Sequence, residues 1–112
     1  MNYHTLAAIH QAIEKGETSC LNLVNLHLQE IENYTDHNIF LEVFTGEARQ
    51  RATVIDEKIK HGTAGKLAGL VVALKDNICY KGHKVSASSK ILENFDSLYS
   101  ATAVERLIAE DA

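Results

Sequence analysis

Gly65-Lys66-Leu67-Ala68-Gly69-Leu70-Val71-Val72-Ala73-Leu74-Lys75-Asp76-Asn77 is an apolar run that stops abruptly on a lysine, an aspartate and an asparagine. Five apolar residues in succession at 70–74, preceded by Gly69, predict a strand buried on both faces. A lysine continuing such a run is costly to desolvate. Two readings of Lys75 stay open on these grounds. Its ammonium snorkels to water at the strand end, as lysines ordinarily do, or burial favours the neutral amine, which can then accept a proton. Asp76 and Asn77 read as turn formers.

Upstream of this run the pattern is helical. Thr5 stands where an N-cap belongs, Leu6, Ile9, Ala12 and Ile13 share one face, and Gly16 marks a C-terminal cap. A second helix starts at Thr18 or Ser19 with Cys20, Val24, His27, Leu28 and Ile31 on one stripe, and it frays into the polar residues 33–38. Residues 39–44, Ile-Phe-Leu-Glu-Val-Phe, are aromatic and β-branched and predict a short strand or an extended link. From Thr45, Ala48, Ala52, Ile55 and Ile59 recur at three- and four-residue spacing, a third helix ending near His61 and Gly62.

Downstream, a second strand is expected around 84–87, followed by a short helical or irregular piece opening at Ser88-Ser89-Lys90. Thr102 and Glu105 have capping-box spacing ahead of a last helix with Val104, Leu107 and Ile108 on its apolar face. The order helix, helix, helix, strand, strand, helix predicts an α/β fold: N-terminal helices, then the first strands of a mixed sheet covered by helices. In such folds a helix like the last one leads into a further strand, so residues 1–112 are expected to form the N-terminal part of one larger domain.

Composition bounds the function. Of the 112 residues, 46% are hydrophobic and 23% charged, ordinary values for a soluble globular protein rather than a disordered one. A net charge of -4 gives no general attraction to nucleic acid or to an anionic membrane. No window approaches the roughly 20 apolar residues of a membrane span, and the N-terminus lacks the basic and apolar regions of a secretory leader. A cytoplasmic protein is expected, with Cys20 and Cys79 as free thiols. No cysteine or histidine spacing suggests a metal site.

What chemistry the residues could perform turns on Lys75. A neutral lysine can serve as general base toward a serine, provided that a serine hydroxyl lies within reach and backbone N–H groups receive the oxyanion. Ser86, Ser88 and Ser89 follow Lys75 closely, yet serines in a loop before a helix are mostly caps and turn residues. Gly65-x-x-x-Gly69 lacks the lysine and hydroxyl that close a phosphate-binding loop. The residues alone therefore describe an α/β piece with one conspicuous lysine.

The pattern Gly65-x-Leu-x-Gly-x-x-x-Ala-x-Lys75-Asp-Asn resembles the Gly-Pro-Leu-x-Gly-Ile-Pro-x-x-x-Lys-Asp pattern of the amidase signature family. Cys79-Tyr-Lys-Gly82, Ala87-Ser-Ser-Lys90-Ile-Leu-Glu-Asn-Phe95 and Ser100-Ala-Thr102-Ala-Val-Glu-Arg106-Leu107 extend the likeness to one branch, the A subunits of glutamyl-tRNA(Gln) and aspartyl-tRNA(Asn) amidotransferases. That resemblance implies that Lys75 is the catalytic lysine of a Ser, cis-Ser, Lys triad that hydrolyses glutamine. It also implies no cofactor in this subunit, ATP and Mg used by the complex, a heterotrimer with subunits B and C, and tRNA contacted mainly through a partner. It assigns no substrate-binding residue. The family's Gly/Ser-rich segment, which supplies both serines and the oxyanion donors, does not occur in these 112 residues, so this chain alone is expected to be inactive. The chain has no proline, and Lys66 and Val71 stand where the family pattern has one. Proline only fixes φ and removes a donor, so both replacements are compatible with the same backbone path. Two other readings are an amide hydrolase of another branch and a non-catalytic, partner-binding module.

Overall fold

The computed structural model describes residues 3–112, which form two compact units. The first takes in the chain up to Val71 together with Glu110–Ala112. Its described residues include the α-helices α1 (Leu6–Glu14), α2 (Cys20–Asn33) and α3 (Thr45–Lys60). Thr5 Oγ1 accepts from the Ala8 N–H at 3.1 Å, the cap the sequence predicts. Both predicted C-terminal glycines close their helices with the same pair of hydrogen bonds. Gly16 N–H donates to the Ile13 carbonyl and Glu17 N–H to that of Ala12, while Gly62 N–H donates to Ile59 and Thr63 N–H to Lys58.

α2 and α3 pack against each other through small and aliphatic side chains. Cys20, Val24 and Leu28 meet Ala52 and Ile55, with Ala68 completing the buried cluster. The predicted stripes supply the helix residues of this cluster, with Ala48 and Ile59 packed against it and His27 and Ile31 only partly buried. The sequence stripe omitted Leu23, the largest fully buried side chain, because α2 faces the 65–69 segment as well as α3. A Cβ on Gly69, whose φ is +90°, would lie 2.9 Å from Ile9 Cγ2 and 3.6 Å from Leu23 Cδ1. A side chain there would be strained as well as crowded.

The 65–69 segment is a series of turns tied to the end of the chain. Leu67 N–H donates to the Glu110 carbonyl at 2.9 Å, Lys66 N–H to Glu110 Oε2 at 3.0 Å, and Gly65 N–H to Asp111 Oδ2 at 2.8 Å. Gly65 is required by this approach, since a Cβ would sit 2.5 Å from the Glu110 carbonyl carbon. Asp111, 4% exposed, also receives Lys58 Nζ at 2.7 Å. Burial opposes ionisation of its carboxyl, but Lys58 and the Gly65 N–H outweigh it and hold Asp111 below the usual carboxylate range.

Residues 70–74 do not form the predicted strand, and Val71, Val72 and Ala73 are exposed rather than buried. Residues 39–44 are likewise a link and not a strand, with Ile39 and Leu41 exposed. A strand exists only through the N–H and C=O groups of a neighbour, and no named strand occurs among the described residues to serve as one. An apolar run records that a segment is suited to burial in a sheet; it does not supply the sheet.

The second unit, Val72–Ala109, is organised around short-range turns. Its approach to sheet is an isolated antiparallel bridge between Lys84 and Asp96, flanked by Val85 N–H to Phe95 O at 3.2 Å and Ser97 N–H to His83 O at 2.9 Å. The second expected strand at 84–87 is thus reduced to one bridge. A 3-10 turn at Lys90–Leu92 occupies the segment expected to be short helix or irregular. α4 spans Thr102–Ala109 with Val104 buried. Its first regular bond runs from Glu105 N–H to the Ala101 carbonyl, which makes Ala101 the cap residue and moves the helix start one position ahead of the predicted capping box.

Candidate active site

Lys75 opens a tight turn in the second unit, closed by Ile78 N–H donating to the Lys75 carbonyl at 2.9 Å. Asp76 and Asn77 occupy its two central positions, the turn-forming role the sequence assigns them. Lys75 itself is exposed. Of the two readings left open by the sequence, this placement matches the lysine that keeps its head in water.

Asp76 does more than form a turn. Its carboxylate accepts from the Ser86 N–H at 3.0 Å and from the Ser86 hydroxyl in a short hydrogen bond, and the Ser88 N–H also donates to it. Its backbone carbonyl accepts from the Ala87 N–H at 2.9 Å. Three successive amides, 86, 87 and 88, therefore converge on one residue ten positions upstream. The arrangement needs Ala87 and Ser88 in left-handed backbone, with φ of 47° and 59°. Such conformations cost non-glycine residues roughly 1–2 kcal/mol each, and the donors gathered on Asp76 offset that cost. The Ser86 hydroxyl and N–H, followed by the Ser88 N–H and the neighbouring Lys75 charge, hold the Asp76 carboxyl below the usual carboxylate range.

The serines near Lys75 have the roles expected of loop serines. The Ser86 hydroxyl is committed to Asp76, and Ser89 N–H closes a turn on the Ser86 carbonyl at 2.8 Å. Neither arrangement presents a nucleophile activated by a base. The histidines are dispersed: His10 Nε2 lies 3.0 Å from the Ala68 carbonyl, His61 Nδ1 lies 2.7 Å from that of Glu57, and His83 stacks on Tyr80. Among the described residues no three His, Cys, Asp or Glu side chains come close enough to hold a metal. No helix among them is long and apolar enough to cross a membrane. Both cysteines are free thiols.

The sequence singled out Lys75 because a charge interrupts an apolar run. It gave no sign of the Asp76 hub, whose partners are ordinary serines ten and twelve positions away with no periodicity to link them.

Residues 22–112 match the family described as Amidase. The chain is 39% identical over its whole length to a protein of Chlorobium phaeobacteroides named as the A subunit of glutamyl-tRNA(Gln) amidotransferase, and it covers 24% of that protein. It is 41% identical to the protein of the same name from Chlorobaculum tepidum, again covering 24% of it. Identity to the Salinibacter ruber protein of that name is 42% over 96% of this chain and 21% of that one. The chain thus spans about a quarter of the length of the relatives it matches.

Proposed function

The chain belongs to the amidase family, and from that premise we propose that it is the N-terminal portion of the glutamine-hydrolysing subunit of a tRNA-dependent amidotransferase. The observation that carries this reading is identity of 38–44% to relatives bearing that subunit's name, in most cases over the whole chain. The motif residues add support, since each has a definite place in the structure. Gly65 permits a close backbone approach, Gly69 a crowded positive-φ turn, Lys75 is exposed at the opening of a turn, and Asp76 is a hydrogen-bond hub.

In this reading Lys75 is the base of the Ser, cis-Ser, Lys triad, and both serines come from the Gly/Ser-rich segment outside these residues. The Lys75 amine takes a proton from the bridging serine, which relays it from the nucleophilic serine. The nucleophile's oxygen bonds to the side-chain amide carbon of glutamine, the C–N bond breaks, and the proton returns to the departing ammonia. Water then hydrolyses the acyl-enzyme to glutamate. Ammonia passes to a partner subunit, where ATP with Mg activates Glu-tRNA(Gln), or Asp-tRNA(Asn), for amidation. The glutamine-hydrolysing subunit needs no cofactor of its own, works with subunits B and C in the cytoplasm, and meets tRNA mainly through a partner.

The same reading accounts for the exposed residues 70–74. In the complete α/β domain this run is a strand of the mixed sheet, and later segments supply its neighbours. Exposed Lys75 is then the end of a strand awaiting the serine loop.

The test is ammonia release from glutamine. A heterotrimer containing the complete subunit releases ammonia, while the purified 112-residue chain releases none above background. Measurable glutaminase activity of the short chain would overturn the claim that the serines lie outside it.

A further inference from the structure

Lys75 stands next in sequence to a side chain held by several hydrogen bonds at once. Asp76 is gripped at its carboxylate by the Ser86 N–H, the Ser86 hydroxyl and the Ser88 N–H, and at its carbonyl by the Ala87 N–H. Two consecutive non-glycine residues, Ala87 and Ser88, hold left-handed backbone to make this grip possible. Strain of this kind persists only where surrounding contacts over-determine it, and it concentrates at functional sites. The Ile78 N–H then closes the turn back on the Lys75 carbonyl at 2.9 Å. The backbone on the C-terminal side of Lys75 is thus fixed on both the carboxylate and the carbonyl of its neighbour. The lysine side chain stays exposed.

We infer that Asp76 is the positioning residue for Lys75: the donors of residues 86–88, closed around Asp76, set the direction in which the Lys75 side chain leaves the backbone. The inference rests on the reading of Lys75 as the catalytic base. Asp76 touches no reacting atom in this scheme. It acts by limiting the freedom of a long, flexible side chain at its root, where a small rotation becomes a large displacement of Nζ. Ser86 is the second part of the same device, since it supplies two of the donors. Its hydroxyl is thereby a structural group rather than a nucleophile.

The test measures kcat and KM for glutamine hydrolysis by the heterotrimer built with the complete subunit. The variants are Asp76→Ala, Asp76→Asn, Ser86→Ala and the double variant Asp76→Ala/Ser86→Ala, beside Lys75→Ala. Misplacing a catalytic group by about 1 Å costs on the order of 10²-fold, so Asp76→Ala lowers kcat by about that factor while KM stays within about twofold. Asp76→Asn retains more activity, because its Oδ1 still accepts from the Ser86 N–H. Ser86→Ala lowers kcat by less than Asp76→Ala, and the double variant is no worse than Asp76→Ala alone, since the two residues act as one unit. A melting temperature that falls while kcat stays at the parent value in Asp76→Ala, with Lys75→Ala inactive, overturns the positioning role and leaves the proposed function standing. Full glutaminase activity in Lys75→Ala overturns both. Where Asp76→Ala does not assemble, Ser86→Ala decides: it keeps Asp76 and the N–H donors in place, and an unchanged kcat there overturns the inference.

Discussion

The two thiols of this chain differ in burial. Cys20 is 3% exposed at the start of α2, and burial, reinforced by the adjacent Asp56 carboxylate, pushes its thiol up to about 12. Cys79 is half-buried. Burial and the raised thiol both protect Cys20, so at pH 8 a thiol reagent such as iodoacetamide modifies the more accessible Cys79 in the folded protein and spares Cys20. Peptide mapping by mass spectrometry checks this, and equal labelling of the two sites without denaturant would contradict it. At this scale the sequence was legible where a residue conflicts with its own neighbours. Lys75 stands out because a charge follows five apolar residues. Asp56, Asp76 and Asp111 do not stand out, because each satisfies donors well separated from it in the chain, and a single sequence carries no mark of such a partner.

Helix α2 begins with its donors accounted for. The Ser19 hydroxyl accepts from the Asn22 N–H at 3.1 Å, while Asp56, reaching across from α3, accepts from the Cys20 N–H at 2.7 Å and the Leu21 N–H at 3.1 Å. A carboxylate at a helix N-terminus gains from both the hydrogen bonds and the helix dipole. Removing it by Asp56→Ala leaves two donors at a packed helix junction and lowers stability by about 1–2 kcal/mol, read from the urea midpoint. A midpoint unchanged from the parent would show that water replaces the carboxylate at no cost. The first three helices were legible because each has local punctuation at one end or both: Thr5 and Ser19 as caps, Gly16 and Gly62 as stops, and apolar stripes at helical spacing. The strands were not, since residues 39–44, 70–74 and 84–87 have the composition of strands but depend on non-local partners. Lys84 and Asp96 do find each other, and the cap of α4 shifts by one residue because Ala101 supplies a carbonyl where Thr102 was expected to supply a hydroxyl.

On the scale of the whole molecule, the chain consists of a helical unit with a well-packed α2 and α3 seam and a turn-rich unit that carries the candidate site. Exposed apolar residues lie in both: Ile39, Leu41 and Val71 in the first, Val72, Ile91 and Leu98 in the second. Exposed apolar side chains of this kind are suited to burial against further protein, and under the proposed function that protein is the remainder of the subunit. The central claim is that Lys75 serves glutamine hydrolysis and not the later amidation. The direct measurement is tRNA amidation by the heterotrimer carrying Lys75→Ala, driven either by glutamine or by added ammonium chloride. Loss of a general base costs typically about 10²–10⁴-fold, so the glutamine-driven rate falls by at least about 10²-fold while the ammonium-driven rate is retained. A glutamine-driven rate equal to that of the parent complex would contradict the account.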